Sequence, residues 1–390
     1  MAFGALAWCP AVRGKDPILF IAWRDIRFAK GRFALMAAVI VLITLLVGLL
    51  SGLTAGLAQQ NISAITGLAA DHVAFSVPDG QPLSYANSSV TEQQWRRWSG
   101  ASGVPGAEPI GIATTRAISG ERSVPVAAFG VLPGSRLSPY GDQIDQHRVV
   151  MSTTAAKDLD VAAGDPVTLA GQWLTVAAVR GDASFSHIPV VWTSLYDWQR
   201  IAPPGAGSSA GSGADDGAAG GPYATVIAVN AGGGTGLAAA DAGAGTRTVS
   251  KDDSLAAIGS YASENGSLQL IRGFLFAISA LVIGAFFTVW TIQRSGDVAV
   301  LKALGAATGS LLRDALGQVL VLLTGGTVIG TAASAGIGAL LSGSTVPFVL
   351  TPATVVIPAA AMSVLSALGA ALAIRQITSV DPLTALGSVR

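Results

Sequence analysis

One cysteine in 390 residues leaves no partner for an internal disulfide and no thiolate set for a metal. Leu6-Ala7-Trp8-Cys9 places Trp8 where a lipoprotein cleavage site needs a small residue, so lipidation of Cys9 is not expected. Charge is scarce: 12% of residues against about 25% in a soluble domain, with a mean hydropathy of +0.56. The formal net charge is zero, which argues against nucleic-acid binding. Histidine is nearly absent, and His72, His147 and His187 lie too far apart for a metal-ligand spacing. No G-x-x-x-x-G-K-[ST] occurs, so any ATP-driven work needs a nucleotide-binding partner.

The missing charge is concentrated in three blocks: Phe33–Ala58, Gly273–Gln293 and Ala315–Ile374. A hydrocarbon core of about 30 Å takes about 20 helical residues, so the third block holds two spans. It breaks at 342–352, where Pro347 and Pro352 interrupt a helix. The expected fold is a polytopic α-helical membrane protein with four transmembrane helices, at 33–57, 269–293, 315–341 and 352–374. Basic residues flank the first span (Arg13, Lys15, Arg24, Arg27, Lys30, Arg32), join the second to the third (Arg294, Lys302, Arg313) and follow the fourth (Arg375, Arg390). The positive-inside bias then makes both termini cytoplasmic, with the 294–314 loop and the 375–390 tail. The outer loop at 342–351 has no basic residue, and residues 58–268 form a large extracytoplasmic domain. Residues 58–272 hold 12 Lys/Arg and 18 Asp/Glu; the remainder holds 11 and 5, which sets an acidic outside against a basic inside.

The outer domain reads as mixed α+β. Strands are expected at 71–77, 123–131, 147–152, 165–170, 173–179 and 187–194, and helices at 91–98, 154–160 and 252–273, the last running into the second span. The Gly/Ser/Ala run at 203–221 reads as a disordered linker, since it has little apolar surface to bury. A cytoplasmic leader and interfacial elbow helix occupy 1–32, with Trp23 at lipid headgroup level. Gly48, Gly52 and Gly56 recur every four residues, marking a close helix–helix contact within the chain or across a dimer. Gly326, Gly330, Ser334 and Gly338 repeat the pattern. No charged residue lies inside any span, which argues against a proton-coupled transporter or an ion channel.

One span, a large outer domain and three further spans resemble the layout of MacB/FtsX/LolC-type ABC transporter permeases, the type VII or mechanotransmission class. The loop after the second span carries the strongest local likeness, with Arg294, Asp297, Val298, Val300, Ala303, Leu304, Gly305 and Ala306 in the family's places. Gln318 and the closing segment 374–390 fit it too, as does 149–199 in the outer domain. The run into the first span is most similar to DevC and haem-exporter permeases.

The resemblance implies a homodimer in the bacterial cell membrane, in contact with lipid, and two copies of a separate ABC ATPase that bind ATP and Mg. It implies that 294–314 is a coupling helix loop seated on that ATPase through Arg294, Asp297, Val298, Leu301, Lys302, Ala303, Leu304 and Gly305. By local reading, Asp297 starts a short helix, where a carboxylate favours exposed N–H groups, and Gly305 ends it. The alternative is a plain re-entry turn without a partner. The cargo is open: a hydrophobic or amphipathic molecule, haem, or none, if the chain switches a cell-wall hydrolase. Tyr140, His187 and Tyr196 are candidate substrate contacts by residue type alone. No catalytic residue, resident metal or cofactor is expected in the chain.

Overall fold

The computed structural model describes residues 30–202, 223–231, 236–303, 308–341 and 346–378. The leader, most of the elbow segment, the 203–221 linker, Leu304, Gly305 and the segment beyond 378 lie outside the described residues. The chain divides into a membrane unit (1–55 with 270–390) and an α+β unit (56–269).

Among the described residues the elements follow in order: α1 (Lys30–Thr66), β1 (His72–Phe75), α2 (Glu92–Ser99), β2 (Gly106–Ser119), β3 (Arg122–Val131), β4 (Arg148–Met151), α3 (Thr153–Leu159), β5 (Pro166–Leu169), β6 (Gln172–Val179), β7 (Ser184–Phe185), β8 (Ile188–Ser194), α4 (Leu195–Ile201), β9 (Val226–Asn230), α5 (Leu237–Ala244), β10 (Arg247–Ser250), α6 (Lys251–Ser254), α7 (Gly259–Ala303), α8 (Thr308–Leu341) and α9 (Pro352–Thr378).

In the α+β unit the strands follow the order β10-β1-β9-β2-β3-β8-β4-β6-β5, and β2 also pairs with β5. That extra pairing, Ala117 with Leu169 and Ile118 with Thr168, closes β2, β3, β8, β4, β6 and β5 into a ring. β2 serves both parts. Residues 106–110 pair with β9 in a side wing, and residues 111–119 pair with β3 in the ring.

Strand alternation sends neighbouring side chains to opposite faces and builds a core on each face of the ring, with a third beside the β1–β9 wing around Trp98 and Ile227. Val149 and Met151 enter one core with Val167, Leu174, Val191 and Trp198; Val150 enters the other with Ile65, Phe75, Phe129, Trp192 and Ile258. An edge-to-face chain of rings, Phe75–Tyr85–Phe185–Phe129, runs through the second core at centroid spacings of 4.9–5.6 Å. Burial pushes the Tyr85 hydroxyl far above its usual pKa, and it donates to Ser254 Oγ at 3.0 Å.

Helix ends follow local chemistry. Thr91 and Gln94 form a capping box at α2, and Ser152, Ser194 and Ser250 cap α3, α4 and α6. The helix expected at 252–273 is instead broken: α6 and a 3-10 turn end at Ala257, Ile258 is extended, and α7 starts at Gly259. Ile258 is buried in the core, and that burial outweighs helix continuity.

Gly111 and Gly130 are neighbours across β2 and β3, and both back onto the indole of Trp198. A Cβ at either would lie inside the ring's van der Waals shell. Gly111→Ala is therefore expected to cost about 2 kcal/mol by overpacking. A fluorescence-detected melt of the full chain should show the α+β transition falling by roughly 4–8 °C, given about 2–4 °C per kcal/mol in a domain this size.

Ala34–Thr66, Gly259–Val289 and Gly317–Leu341 are long and apolar enough to cross a bilayer, and Pro352–Leu365 is a shorter apolar stretch of α9. Hydroxyls there bond back to their own helix: Ser279 to Leu275 O, Thr288 to Gly284 O, Thr324 to Leu320 O and Ser363 to Ala359 O. α9 starts as the sequence dictates, with Pro352 in the first turn and Thr351 Oγ1 accepting from Thr354 N at 3.2 Å.

Candidate functional site

The segment expected to grip an ATPase does not begin a helix of its own. Arg294, Asp297, Val298, Leu301, Lys302 and Ala303 continue α7, which runs unbroken from Gly259. Asp297 is thus in a helix interior, without free N–H groups to cap, which corrects the expected helix start. The physical reason is the absence of proline between Gly259 and Ala303; Gly296 alone costs only about 1 kcal/mol in a helix. α7 is described as far as Ala303 and α8 from Thr308; residues 304–307 lie outside the described residues.

The glycine stripe has a clear local role. A Cβ at Gly48 would lie 2.5 Å from Ser334 Oγ; at Gly326, 2.7 Å from Ile40 Cγ2; at Gly330, 2.7 Å from Val41 O and 2.8 Å from Thr44 Cβ. α1 and α8 therefore touch through small residues on both sides. Gly52 and Gly338 face Phe348, whose ring occupies the space their side chains would fill, and Val349 N donates to Gly52 O at 3.1 Å. Gly56 is buried.

The three candidate substrate contacts do not converge. Tyr140 packs on the Phe129 core, with a left-handed backbone (φ 62°) and its hydroxyl over Gly181. Tyr196 stands on α4, whose Leu195, Trp198 and Ile201 belong to the opposite core. It is 46% exposed and carries Arg200, whose Nη1 donates to its hydroxyl at 3.0 Å. A surface depression lined by Pro133, Asp142, Asp145 and Arg148 includes none of the three.

His187 is engaged instead with Glu264 of α7, its Nε2 lying 2.8 Å from Oε2. Asn61 of α1, 1% exposed, donates from Nδ2 to Glu264 Oε2 at 3.0 Å. Sequence reasoning missed Asn61, Ser260 and Glu264. Their one legible signal is polarity just beyond the apolar ends of α1 and α7. His147 lies elsewhere, its N–H donating to buried Asp197 at 2.7 Å. No group of three or more His, Cys, Asp or Glu that could hold a metal occurs among the described residues.

Comparison with known proteins adds to this. Over 371 residues the chain is 23% identical to a Staphylococcus haemolyticus protein named as a hemin transport system permease protein, HrtB, covering 95% of this chain and 99% of that one. It is 24% identical over 385 residues to an uncharacterized ABC transporter permease of Mycobacterium tuberculosis, covering 95% and 99%. Among solved structures, the periplasmic region of MacB from Actinobacillus actinomycetemcomitans covers 49% of this chain and 94% of its own (14% identity, TM-score 0.33). The extracellular domain of YknZ from Gram-positive bacteria covers 46% and 98% (13%, 0.32). The profile of the FtsX-like permease C-terminal domain matches residues 270–382. Residues 270–382 are thus FtsX-like, and the whole chain is similar to ABC permeases. The match to an FtsX-like permease domain and the long apolar helices support a protein of the cell membrane, and that permease family implies an ATPase partner. The profile spans most of the membrane unit, including Arg294–Gly305.

Proposed function

We propose that the chain transmits ATP-driven movement from cytoplasmic ATPase subunits to its α+β domain, and so exports or extracts a hydrophobic or amphipathic molecule. In this reading the chain has four spans, cytoplasmic termini, and residues 58–268 outside. Two copies pair with two ATPases, and the segment around Arg294–Gly305 is where the ATPase grips. The observation that carries it is the match to a hemin transport permease along nearly the whole of both chains. Helices α1 and α7 support it: each runs unbroken from the membrane unit into the α+β unit. The uncharged spans fit a mechanism that needs no hydrophilic tunnel.

Haem is the cargo we favour within this class, on the strength of that relative's name. Haem titrated into the purified chain in detergent is expected to shift its Soret band with saturation. A Soret band identical to free haem in the same detergent would remove haem and leave the broader reading. Release of ATP-driven transport from any amphipathic cargo, with a cell-wall hydrolase captured instead, would favour the regulatory alternative.

A further inference from the structure

The turn between β7 and β8 is built from unusual residues for its shape. Ser186 and His187 both have left-handed backbones, φ 52° and 64°, and β7 pairs directly with β8 on either side. Two-residue hairpins of this hand normally use Asn-Gly or another glycine pair. Non-glycine residues persist there only where the surroundings over-determine them.

Two helices supply that surrounding. From α1, Asn61 O accepts from Ser186 N at 3.0 Å, and Gln60 O accepts from His187 N at 3.1 Å. Ser63 Oγ accepts from Ser184 N at 2.8 Å. From α7, Ser260 Oγ lies 2.7 Å from Ser186 Oγ and donates to Asn61 Oδ1. Glu264 then accepts from both Asn61 Nδ2 and His187 Nε2. The tip is stitched to both helices at once, and through Asn61 the helices are stitched to each other. All these residues lie inside the α+β unit. Beyond the tip, β8 runs between β3 and β4 as an interior strand of the closed ring.

We infer that the Ser186–His187 tip is a permanently closed joint through which movement of α1 and α7 enters the ring, with His187, Glu264 and Asn61 as its positioning residues. This rests on the force-transmitting function proposed above and names where the force crosses into the sheet. The hydrogen bonds to a carboxylate are the strong, directional part of the joint. The two backbone bonds from the tip fix the start of β8 to α1. A joint of this kind works by staying shut, which separates it from a latch that opens in every cycle.

The test uses the full chain with its ATPase in lipid nanodiscs, reading the change in amide hydrogen exchange caused by a non-hydrolysable ATP analogue. His187→Ala with Glu264→Ala is expected to shrink the nucleotide-dependent change at β8 and β4 by about tenfold, the order of effect of losing charge-assisted hydrogen bonds. The change along 293–303 of α7 should remain. Ser186→Cys with Ser260→Cys, in a Cys9→Ser background, replaces two hydroxyl oxygens 2.7 Å apart with sulfur and should form a disulfide. That disulfide should preserve the response at β8 and restore it in the His187/Glu264 variant. A merely structural role for the network would not give rescue by a bond elsewhere in the joint. Full response without the His187 and Glu264 side chains would overturn the joint, as would a disulfide whose reduction increases the response. The unaltered chain showing no nucleotide-dependent change in its α+β unit would sink the force-transmitting reading together with the joint. Loss of response from a variant at Asp297 and Gly305, but none from the joint variants, would sink the joint alone.

Discussion

Asp297→Lys combined with Gly305→Pro is expected to lower the chain's stimulation of its partner ATPase by at least about tenfold, since like-charge juxtaposition at an interface costs several kcal/mol. Asp297 lies inside α7, which is described from Gly259 to Ala303. A charge there is carried on a rigid element rather than on a loose turn, so the complex cannot easily avoid the reversal by swinging the residue away. Gly305 comes two positions after Ala303 in the sequence, and a proline in its place disfavours helical geometry at the preceding residue. The two changes attack different things, charge and chain direction, so the single variants apportion the loss. The melt of the α+β unit should not move, because both sites lie outside residues 56–269. Stimulation at the unaltered level would remove the coupling role from this segment.

Gly330→Leu is expected to disrupt the membrane unit, while Gly325→Leu, one and a half turns away on the same helix, is tolerated. At Gly330 the first added carbon already lies 2.7 Å from a backbone oxygen, Val41 O. Backbone gives way far less readily than a side-chain tip, so α1 and α8 must separate. The loss is about 3 kcal/mol from overpacking alone, before the neighbouring contacts at Gly326 and Gly48 are counted. At Gly325 nothing lies within 4 Å. Detergent-purified variants followed by size exclusion and thermal aggregation should separate cleanly: early aggregation for Gly330→Leu, unaltered behaviour for Gly325→Leu. Equal stability of the two would mean that the α1–α8 contact does not hold this unit together. Loss of the Gly325 variant as well would place another surface on that face.

Much of this architecture was legible in the sequence because one-dimensional signals suffice for it. Charge-free runs of about 20 residues announce helices that cross membranes. All six strands expected from β-branched alternation are present, from β1 through β8, as are the helices at 91–98 and 154–160. β2 was missed because Gly106, Pro109 and Gly111 interrupt its pattern. Those breaks accompany its change of partner from β9 to β3, a tertiary fact. β9 and β10 were missed because they lie on either side of a stretch dominated by glycine and alanine, 231–245. The break at Ile258 depends on a core assembled from distant strands, so local propensity favoured an unbroken helix.

The residues around His187 were the least legible. Asn61 and Glu264 lie 126 and 77 positions away from it, and nothing in their own neighbourhoods predicts the meeting. Residue type drew attention to His187, Tyr140 and Tyr196 together, and the structure places them apart. The fold assigns them to a helix contact, one core and an exposed helix face respectively.

Phe348 has a consequence for the order in which this sequence can change. Its ring fills the volume that side chains at Gly52 and Gly338 would need, so three positions on three separate segments share one small space. While the phenylalanine is present, neither glycine can accept even a methyl group without moving the ring. Once a smaller residue replaces it, alanine becomes admissible at both, and a later return to phenylalanine is then blocked. The three positions therefore form an epistatic set with a ratchet: the loop residue must change first, and the glycines record whether it has.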